Sequence, residues 1–146
     1  MPNLFLTGYE QETIEEFVAK LLRNGITTVI DVREIPLSRK NGFSKVHLQA
    51  RLKKLGINYC HFPKLGSPSS IRNDLRSGEN DYLDFFKKYR SYVKDKRDIF
   101  NQTINIINKN KKTALLCFER NSELCHRSIL ASELLKINHN MKIIPL

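Results

Sequence analysis

Strand-like and helix-like stretches alternate through the first sixty of the 146 residues. Residues 26–32 (ITTVIDV) are β-branched and almost wholly apolar, which is typical of a strand buried on both faces. Before them, residues 14–22 place their apolar side chains on one helical stripe, opened by a capping box at Thr13 and Glu16. Because strands and helices alternate, the sequence predicts a parallel sheet covered by helices.

The second half of the chain continues this alternation. Residues 82–93 carry an aromatic stripe, which we interpret as core because periodic stripes of this kind usually pack inward. A helix over residues 99–110, a buried strand over 113–118, a further helix and an edge strand over 141–146 follow. We therefore predict one α/β domain spanning residues 1–146. Its expected fold is a three-layer Rossmann-like fold, a mostly parallel sheet of about five strands with helices on both faces.

A formal net charge of +10 is the extreme value in the composition. It favours phosphate-bearing or nucleic-acid partners, although a merely basic surface explains it equally well. No apolar run approaches membrane-spanning length, and the three cysteines form neither a disulfide framework nor close metal-binding pairs. We therefore expect a cytoplasmic protein with no membrane partner and no cofactor. The sequence carries no signal of oligomeric state.

Polar and titratable residues follow each predicted strand. In a parallel α/β sheet, ligands bind outside the carboxyl ends of the strands, so these residues should meet at one edge. The candidates for catalysis are Glu119, Cys125, His126, Asp31 and His61. The candidates for binding phosphate or another anion are Arg33, Arg39, Arg127, Gly8 and Tyr9.

Cys125 lies in the predicted first turn of a helix, beside His126 and Arg127. The helix dipole and the adjacent positive charge favour a thiolate there, so we expect a lowered pKa and a nucleophilic or oxidation-sensitive thiol. The alternative is a small buried residue, the interpretation that we give to Cys60 and Cys117 within their strands. Since Arg127 follows Cys125 by only two residues, the anion-binding loop of a cysteine phosphatase cannot form.

Guanidinium groups bind phosphate through paired hydrogen bonds, so the three arginines are candidates for a phosphate clamp. Alternatively, Arg33 pairs with Asp31 or Glu119 within the protein. Asp31 and Glu119 are the expected acid and base, and the two histidines are candidates for proton transfer. We expect no metal site, because adjacent ligands such as Cys125 and His126 diverge by about 100° around a helix.

Several segments resemble the domain of unknown function 488 family, in the order in which they occur there. They are LTGYE, VIDVREIPLSR, INYCHFPKLG, and LLCFE followed by CHR, and together they extend over nearly the whole chain. The chain differs at Ser67, where a second glycine commonly follows Gly66. The resemblance implies an α/β fold with a clustered polar site, and it implies no particular reaction.

Three functions are consistent with these residues. The first is an enzyme or ligand-binding protein for a phosphate-bearing substrate, a nucleotide or nucleic acid. The second is a non-catalytic nucleic-acid-binding module that uses the basic stretches 87–96 and 109–112. The third is a thiol-based redox sensor that depends on Cys125 alone.

Overall fold

A computed structural model describes residues 1–68, 82–119 and 125–146. The five strands are β1 (Asn3–Gly8), β2 (Thr28–Asp31), β3 (Asn58–His61), β4 (Lys112–Cys117) and β5 (Lys142–Pro145). The five helices are α1 (Ile14–Arg23), α2 (Lys45–Lys54), α3 (Tyr82–Val93), α4 (Arg97–Asn110) and α5 (His126–Ile137), and a short 3₁₀ turn spans Pro63–Leu65. The later part of the second predicted loop and the bend before α5 (residues 69–81 and 120–124) lie outside the described residues.

All strand pairs are parallel, and the strand order is β3-β2-β4-β1-β5. The late strand β4 therefore lies between β1 and β2, at the centre of the sheet. The strands are in register at their carboxyl ends, where Gly8 lies opposite Cys117 and Asp31 lies opposite Leu116. The predicted α/β, Rossmann-like fold is confirmed, and the carboxyl ends of the three central strands open at one edge.

The core has two layers because successive side chains of a strand point to opposite faces of the sheet. In β4, Ala114 and Leu116 pack against α1 and α2, whereas Leu115 and Cys117 pack against α3, α4 and α5. The residues that share the first layer are Phe5, Phe17, Leu21, Val29, Leu48 and Leu52. Those that share the second are Leu4, Ile30, Tyr89, Val93, Ile107, Leu130 and Leu134.

The aromatic stripe of α3 is core, as predicted, at Phe85, Tyr89 and Val93, whereas Tyr82 at the start of the helix is exposed. Leu22, which the sequence places on the buried stripe of α1, is exposed instead, and so is Leu55. Leu22 lies beside the narrow buried stripe of α1, and Leu55 lies one residue beyond the end of α2. Within the described ranges, no helix combines the length and the apolar character needed to cross a bilayer.

Candidate active site at the carboxyl ends of the strands

A cavity of about 440 Å³ opens at the carboxyl ends of β1, β2 and β4. In this class of fold, ligands bind at that edge. The described residues that line it are Tyr9, Arg33, Glu34, Ile35, Leu37, Ser38, Ser67, Cys117, Phe118, Glu119 and His126. The cavity thus brings a thiol, an imidazole, two carboxyl groups and a guanidinium to one space.

Two cysteines and one histidine form a compact cluster beside this cavity, which we call the thiol–imidazole cluster: Cys117, Cys125 and His126. All three side chains are buried, and their Sγ and ring nitrogen atoms lie within 4.8 Å of one another. His126 Nδ1 is 3.5 Å from Cys125 Sγ and 3.9 Å from Cys117 Sγ. The Sγ of Cys117 also lies 3.4 Å from Glu119 Oε2, so the cluster extends to a carboxyl group.

Local backbone geometry brings these three residues together. Cys117 is the last residue of β4, and Cys125 is the N-cap of α5, with an extended backbone (φ −130°, ψ 153°). His126 is the first residue of α5, and its Nε2 lies 3.1 Å from the carbonyl oxygen of Val32, to which it donates. The imidazole therefore connects the end of β2 to the start of α5 and directs Nδ1 towards the sulfur atoms.

The charges of this cluster depend on one another. The hydrogen bond from Cys125 lowers the pKa of the Cys117 thiol well below its usual range, outweighing burial, and the charge of His126 lowers it further. Burial, together with that same hydrogen bond, raises the pKa of Cys125 well above its usual value. Burial opposes the charge of His126, but the Cys117 thiolate beside the ring raises the histidine pKa. The lowered pKa that the sequence predicts for Cys125 is therefore wrong, and the downward shift is at Cys117.

Glu119 follows β4 by two residues and lies on the cavity wall. Burial, and then the nearby charge of Cys117, raise the pKa of its carboxyl group above the ordinary value. Its carbonyl oxygen accepts a hydrogen bond of 2.7 Å from Nη2 of Arg127, which is fully buried. The Nε and Nη1 atoms of Arg127 have no hydrogen-bond partner in the described parts of the chain.

Gly8, one of the predicted anion-binding residues, has a steric role here. A Cβ atom at this position would lie 1.8 Å from the carbonyl oxygen of Glu119, so only glycine allows β1 to approach the segment that carries Glu119. The Gly8 carbonyl itself accepts a hydrogen bond from Lys20. The residue thus sets the position of Glu119, and its carbonyl group is already engaged by a lysine.

Asp31 and Arg33 form a buried ion pair beside the cavity. Arg33 Nε and Nη2 donate to the two carboxylate oxygens of Asp31 at 2.9 and 2.7 Å, and Nη1 donates to the Tyr9 hydroxyl at 3.2 Å. Tyr59 donates to the same carboxylate at 2.5 Å. Burial disfavours the charge of Arg33, but Asp31 more than compensates and raises the arginine pKa. The pairing with Asp31 that the sequence left open is the observed one.

The other two predicted site residues, His61 and Arg39, are not among the described residues that line the cavity. His61 is half-buried, with Nε2 2.8 Å from the carbonyl oxygen of Arg33 and Nδ1 3.5 Å from Lys45 Nζ, and it is not among the described cavity-lining residues. Arg39 is exposed on the loop after β2. The structure therefore does not bring Arg33, Arg39 and Arg127 together as an open clamp.

The structure brings Glu119, Cys125 and His126 together as the sequence indicates, and it adds Cys117, which we had interpreted as core. Cys117 is buried, but it also lines the cavity. One signal for this role is present in the sequence, because residues two apart on an extended segment point to the same face. Cys117 and Glu119 have that spacing.

Comparisons with known proteins give a family and no activity. Neither curated proteins nor solved structures gave a significant match to the chain. The model of one family, described as Domain of unknown function DUF488, matches residues 13–134. That range contains the loop after β2, strand β4 and the whole thiol–imidazole cluster. The chain therefore belongs to the DUF488 family.

Proposed function

We propose that this protein is an enzyme that acts on a phosphate-bearing substrate, a nucleotide or nucleic acid, in the cavity at the carboxyl ends of the strands. One observation carries the proposal: Cys117, Glu119 and His126 line a single cavity of about 440 Å³ at the edge where α/β folds bind ligands. Binding alone needs neither a thiol nor an acid–base pair, so this combination favours catalysis.

Each of these groups has a place in the proposed reaction. Glu119 and His126 are the groups that transfer protons, and the Sγ of Cys117 lies 3.4 Å from the carboxyl group and 3.9 Å from the ring nitrogen. Cys125 is almost completely buried and does not line the cavity, so it supports Cys117 rather than meeting substrate. This burial also makes a redox sensor that depends on Cys125 alone a weaker alternative.

Positive charge supports an anionic substrate. Arg33 lines the cavity, oriented by Asp31, and Arg127 donates to the carbonyl oxygen of Glu119 while its Nε and Nη1 have no partner among the described residues. The net charge of +10 raises the local concentration of anions around the molecule. The free thiols of all three cysteines also agree with a reducing compartment, and we include a cytoplasmic location in the proposal.

The first test is a thermal-shift screen of nucleoside phosphates, sugar phosphates and short oligonucleotides, followed by turnover assays of every compound that stabilises the protein. We expect at least one compound to bind and to be converted. Glu119→Gln keeps the size of the side chain but removes the transferable proton, so turnover should fall by about 10²- to 10⁴-fold while the thermal shift remains.

Glu15→Gln is the matched control, because Glu15 is an exposed carboxylate on α1 outside the cavity. It should leave both the thermal shift and turnover unchanged. A compound that binds wild-type protein and is never converted would show a binding protein. If no phosphate-bearing compound stabilises the protein, the assignment of substrate class is wrong.

A second candidate function is binding of nucleic acid without catalysis, and a separate groove favours it. This basic groove has a volume of about 720 Å³ and lies where α3, α4 and α5 meet. Its charged residues are Lys87, Arg90, Lys94, Arg97, Lys136 and Glu133, and its apolar residues are Val93, Phe100 and Ile137. It is larger than the cavity at the strand ends, but it holds no thiol or imidazole among the described residues, so we rank catalysis at the cavity first.

Salt dependence tests this second candidate. If the basic groove binds single-stranded nucleic acid, the logarithm of the affinity should fall with that of the salt concentration, with a slope of roughly −0.7 per phosphate contacted. Charge reversal at Lys94 and Arg97 should weaken binding and flatten the slope, whereas Lys53→Glu on α2 should change neither. An affinity that does not change with salt concentration would exclude this function.

A further inference from the structure

The two nitrogen–sulfur distances of the thiol–imidazole cluster are close to those of a tetrahedral zinc site, and the two sulfur atoms lie within 4.8 Å of each other. With Zn–S distances of about 2.3 Å and Zn–N distances of about 2.0 to 2.1 Å, tetrahedral geometry places sulfur and nitrogen about 3.6 Å apart and two sulfurs about 3.8 Å apart. His126 Nδ1 lies 3.5 Å from Cys125 Sγ and 3.9 Å from Cys117 Sγ. All three donor atoms lie within 4.8 Å of one another.

The orientation of His126 is a second and independent observation. Its Nε2 donates to the carbonyl oxygen of Val32 at 3.1 Å, so Nδ1 faces the two sulfur atoms and can bind a metal ion once the ion displaces its proton. Histidines that bind metals commonly donate their other ring N–H to a carbonyl or carboxylate in this way, and that bond fixes the tautomer. The divergence expected for adjacent helical ligands does not apply, since Cys125 precedes the helix with an extended backbone.

The chemistry of the donors selects the metal. Two thiolates and an imidazole suit Zn²⁺, whereas Mg²⁺ and Ca²⁺ prefer oxygen ligands. Two thiolates also neutralise a divalent ion, which removes most of the cost of burying that charge. We propose that Cys117, Cys125 and His126 bind one zinc ion, with the fourth coordination position directed towards the cavity.

The neighbourhood of the cluster fits a site that remains open to a ligand. Catalytic zinc sites have three protein ligands and a water or substrate in the fourth position, whereas structural sites have four protein ligands. Cys117, Glu119 and His126 line the cavity, so a molecule bound in it reaches the ion. Glu119 Oε2, 3.4 Å from Cys117 Sγ, is placed to accept a proton from a water at that fourth position. A zinc-bound His126 does not transfer a proton, so Glu119 alone has that role when the ion is present, and only this last step depends on the proposed function.

The experiment uses the full chain, reduced and freed of metal with a chelator. We expect it to bind one Zn²⁺ ion per chain in competition with a chromophoric chelator. Co²⁺ should bind in its place and give thiolate-to-cobalt charge-transfer absorption together with the intense visible bands of four-coordination. Cys117→Ser and Cys125→Ser should each weaken binding by more than about 100-fold, since even loss of an outer hydrogen-bond partner typically costs about 10- to 100-fold.

Cys60→Ser is the matched control, because Cys60 is the third cysteine and lies in β3, outside the cluster. It should bind zinc as wild-type protein does. The cobalt spectrum of wild-type protein is decisive even if a cluster variant fails to fold. Absence of charge-transfer bands in the reduced protein, or equal loss of binding in Cys60→Ser, overturns the proposal.

The two proposals fail separately. Zinc binding with no turnover of any phosphate compound retains the metal site and removes the proposed function. Turnover by protein that binds neither Zn²⁺ nor Co²⁺ retains the function and overturns the metal site.

Discussion

At the scale of the residue, the carboxylate of Asp31 is held by several hydrogen bonds beside the cavity. Its carboxylate is fully buried, and it accepts hydrogen bonds from the backbone N–H and side chain of Arg33 and from the Tyr59 hydroxyl. A buried carboxylate is tolerated only when it is paired and hydrogen-bonded in this way. Asp31 therefore holds Arg33 in position, and exchanging this partner for a ligand would cost stability.

Removing the Tyr59 hydroxyl tests this arrangement. Burial, and then the charge of Asp31, raise the pKa of Tyr59 above its usual value of 10, so the folded state retains the phenolic proton. The stability that the protonated Tyr59 contributes is fully present below the pKa that tyrosine has in the unfolded state, and it declines as pH rises beyond that pKa. Tyr59→Phe should lower the free energy of unfolding at pH 7 by roughly 1.5 kcal/mol. Between pH 9 and pH 11, the free energy of unfolding of this variant should fall less than that of wild-type protein.

Denaturant unfolding of both proteins across that pH range provides the measurement. Tyr82→Phe, at an exposed position on α3, is the control and should follow wild-type protein. Parallel pH curves for wild-type protein and Tyr59→Phe would contradict the role assigned to this hydrogen bond.

Residue types and spacing predicted much of the candidate site, because strand ends in a parallel sheet are recognisable in a sequence. Spacing could not show that the thiol pKa is lowered at Cys117 and raised at Cys125, since both shifts depend on the hydrogen bond between these two residues. It also could not show that Gly8 is required for the close approach to Glu119, since that contact joins distant parts of the chain.

At the scale of the element, helix α1 shows how local sequence fixes a boundary. The Thr13 side chain accepts from the backbone N–H of Glu16 at 3.1 Å, and the Glu16 carboxylate accepts from the N–H of Thr13 at 2.9 Å. These two bonds satisfy donors that the start of a helix leaves unpaired. The capping box predicted from the sequence is confirmed.

Loss of this cap has a predictable cost. Thr13→Ala should lower the free energy of unfolding by about 1 kcal/mol, whereas Thr13→Ser, which keeps the hydroxyl, should cost much less. Hydrogen bonds from Thr13 lower the pKa of Glu16. The stability that the ionised Glu16 contributes through these bonds should therefore be lost as pH falls through this lowered pKa. Chemical denaturation at pH 7 and pH 3 measures both effects. Equal stability of the Ala and Ser variants at pH 7 would show that the cap contributes little.

Elements were predictable because hydrophobic periodicity and capping signals are local. The start of α5 was less predictable. The sequence places Cys125 in the first turn of the helix, but it is the N-cap, immediately before the helix begins. That shift changes the chemistry, because an extended backbone at Cys125 turns its Sγ towards Nδ1 of His126. A difference of one residue at the start of α5 thus removes the reason for which the sequence predicts no metal site at Cys125 and His126.

At the scale of the whole molecule, the position of β4 was not predictable from local sequence. An apolar strand pairs with many partners of similar composition, so the sequence shows that β4 is central but not which strands flank it. The observed order places β4 between β1 and β2 through long-range contacts. These contacts bring Gly8, Asp31 and Cys117 to one edge.

The central position of β4 also has a consequence for the order in which the molecule can be made. During synthesis, β2 can pair with β3 as soon as residue 61 has emerged, but β1 has neither of its partners until β4 appears some fifty residues later. Until then the nascent chain carries unpaired strand edges, which are slow to find distant partners and prone to aggregation. Arrival of β4 completes the centre of the sheet and delivers Cys117 to the site in the same event. A nascent chain halted before that point has no sheet centre and lacks Cys117 of the candidate site.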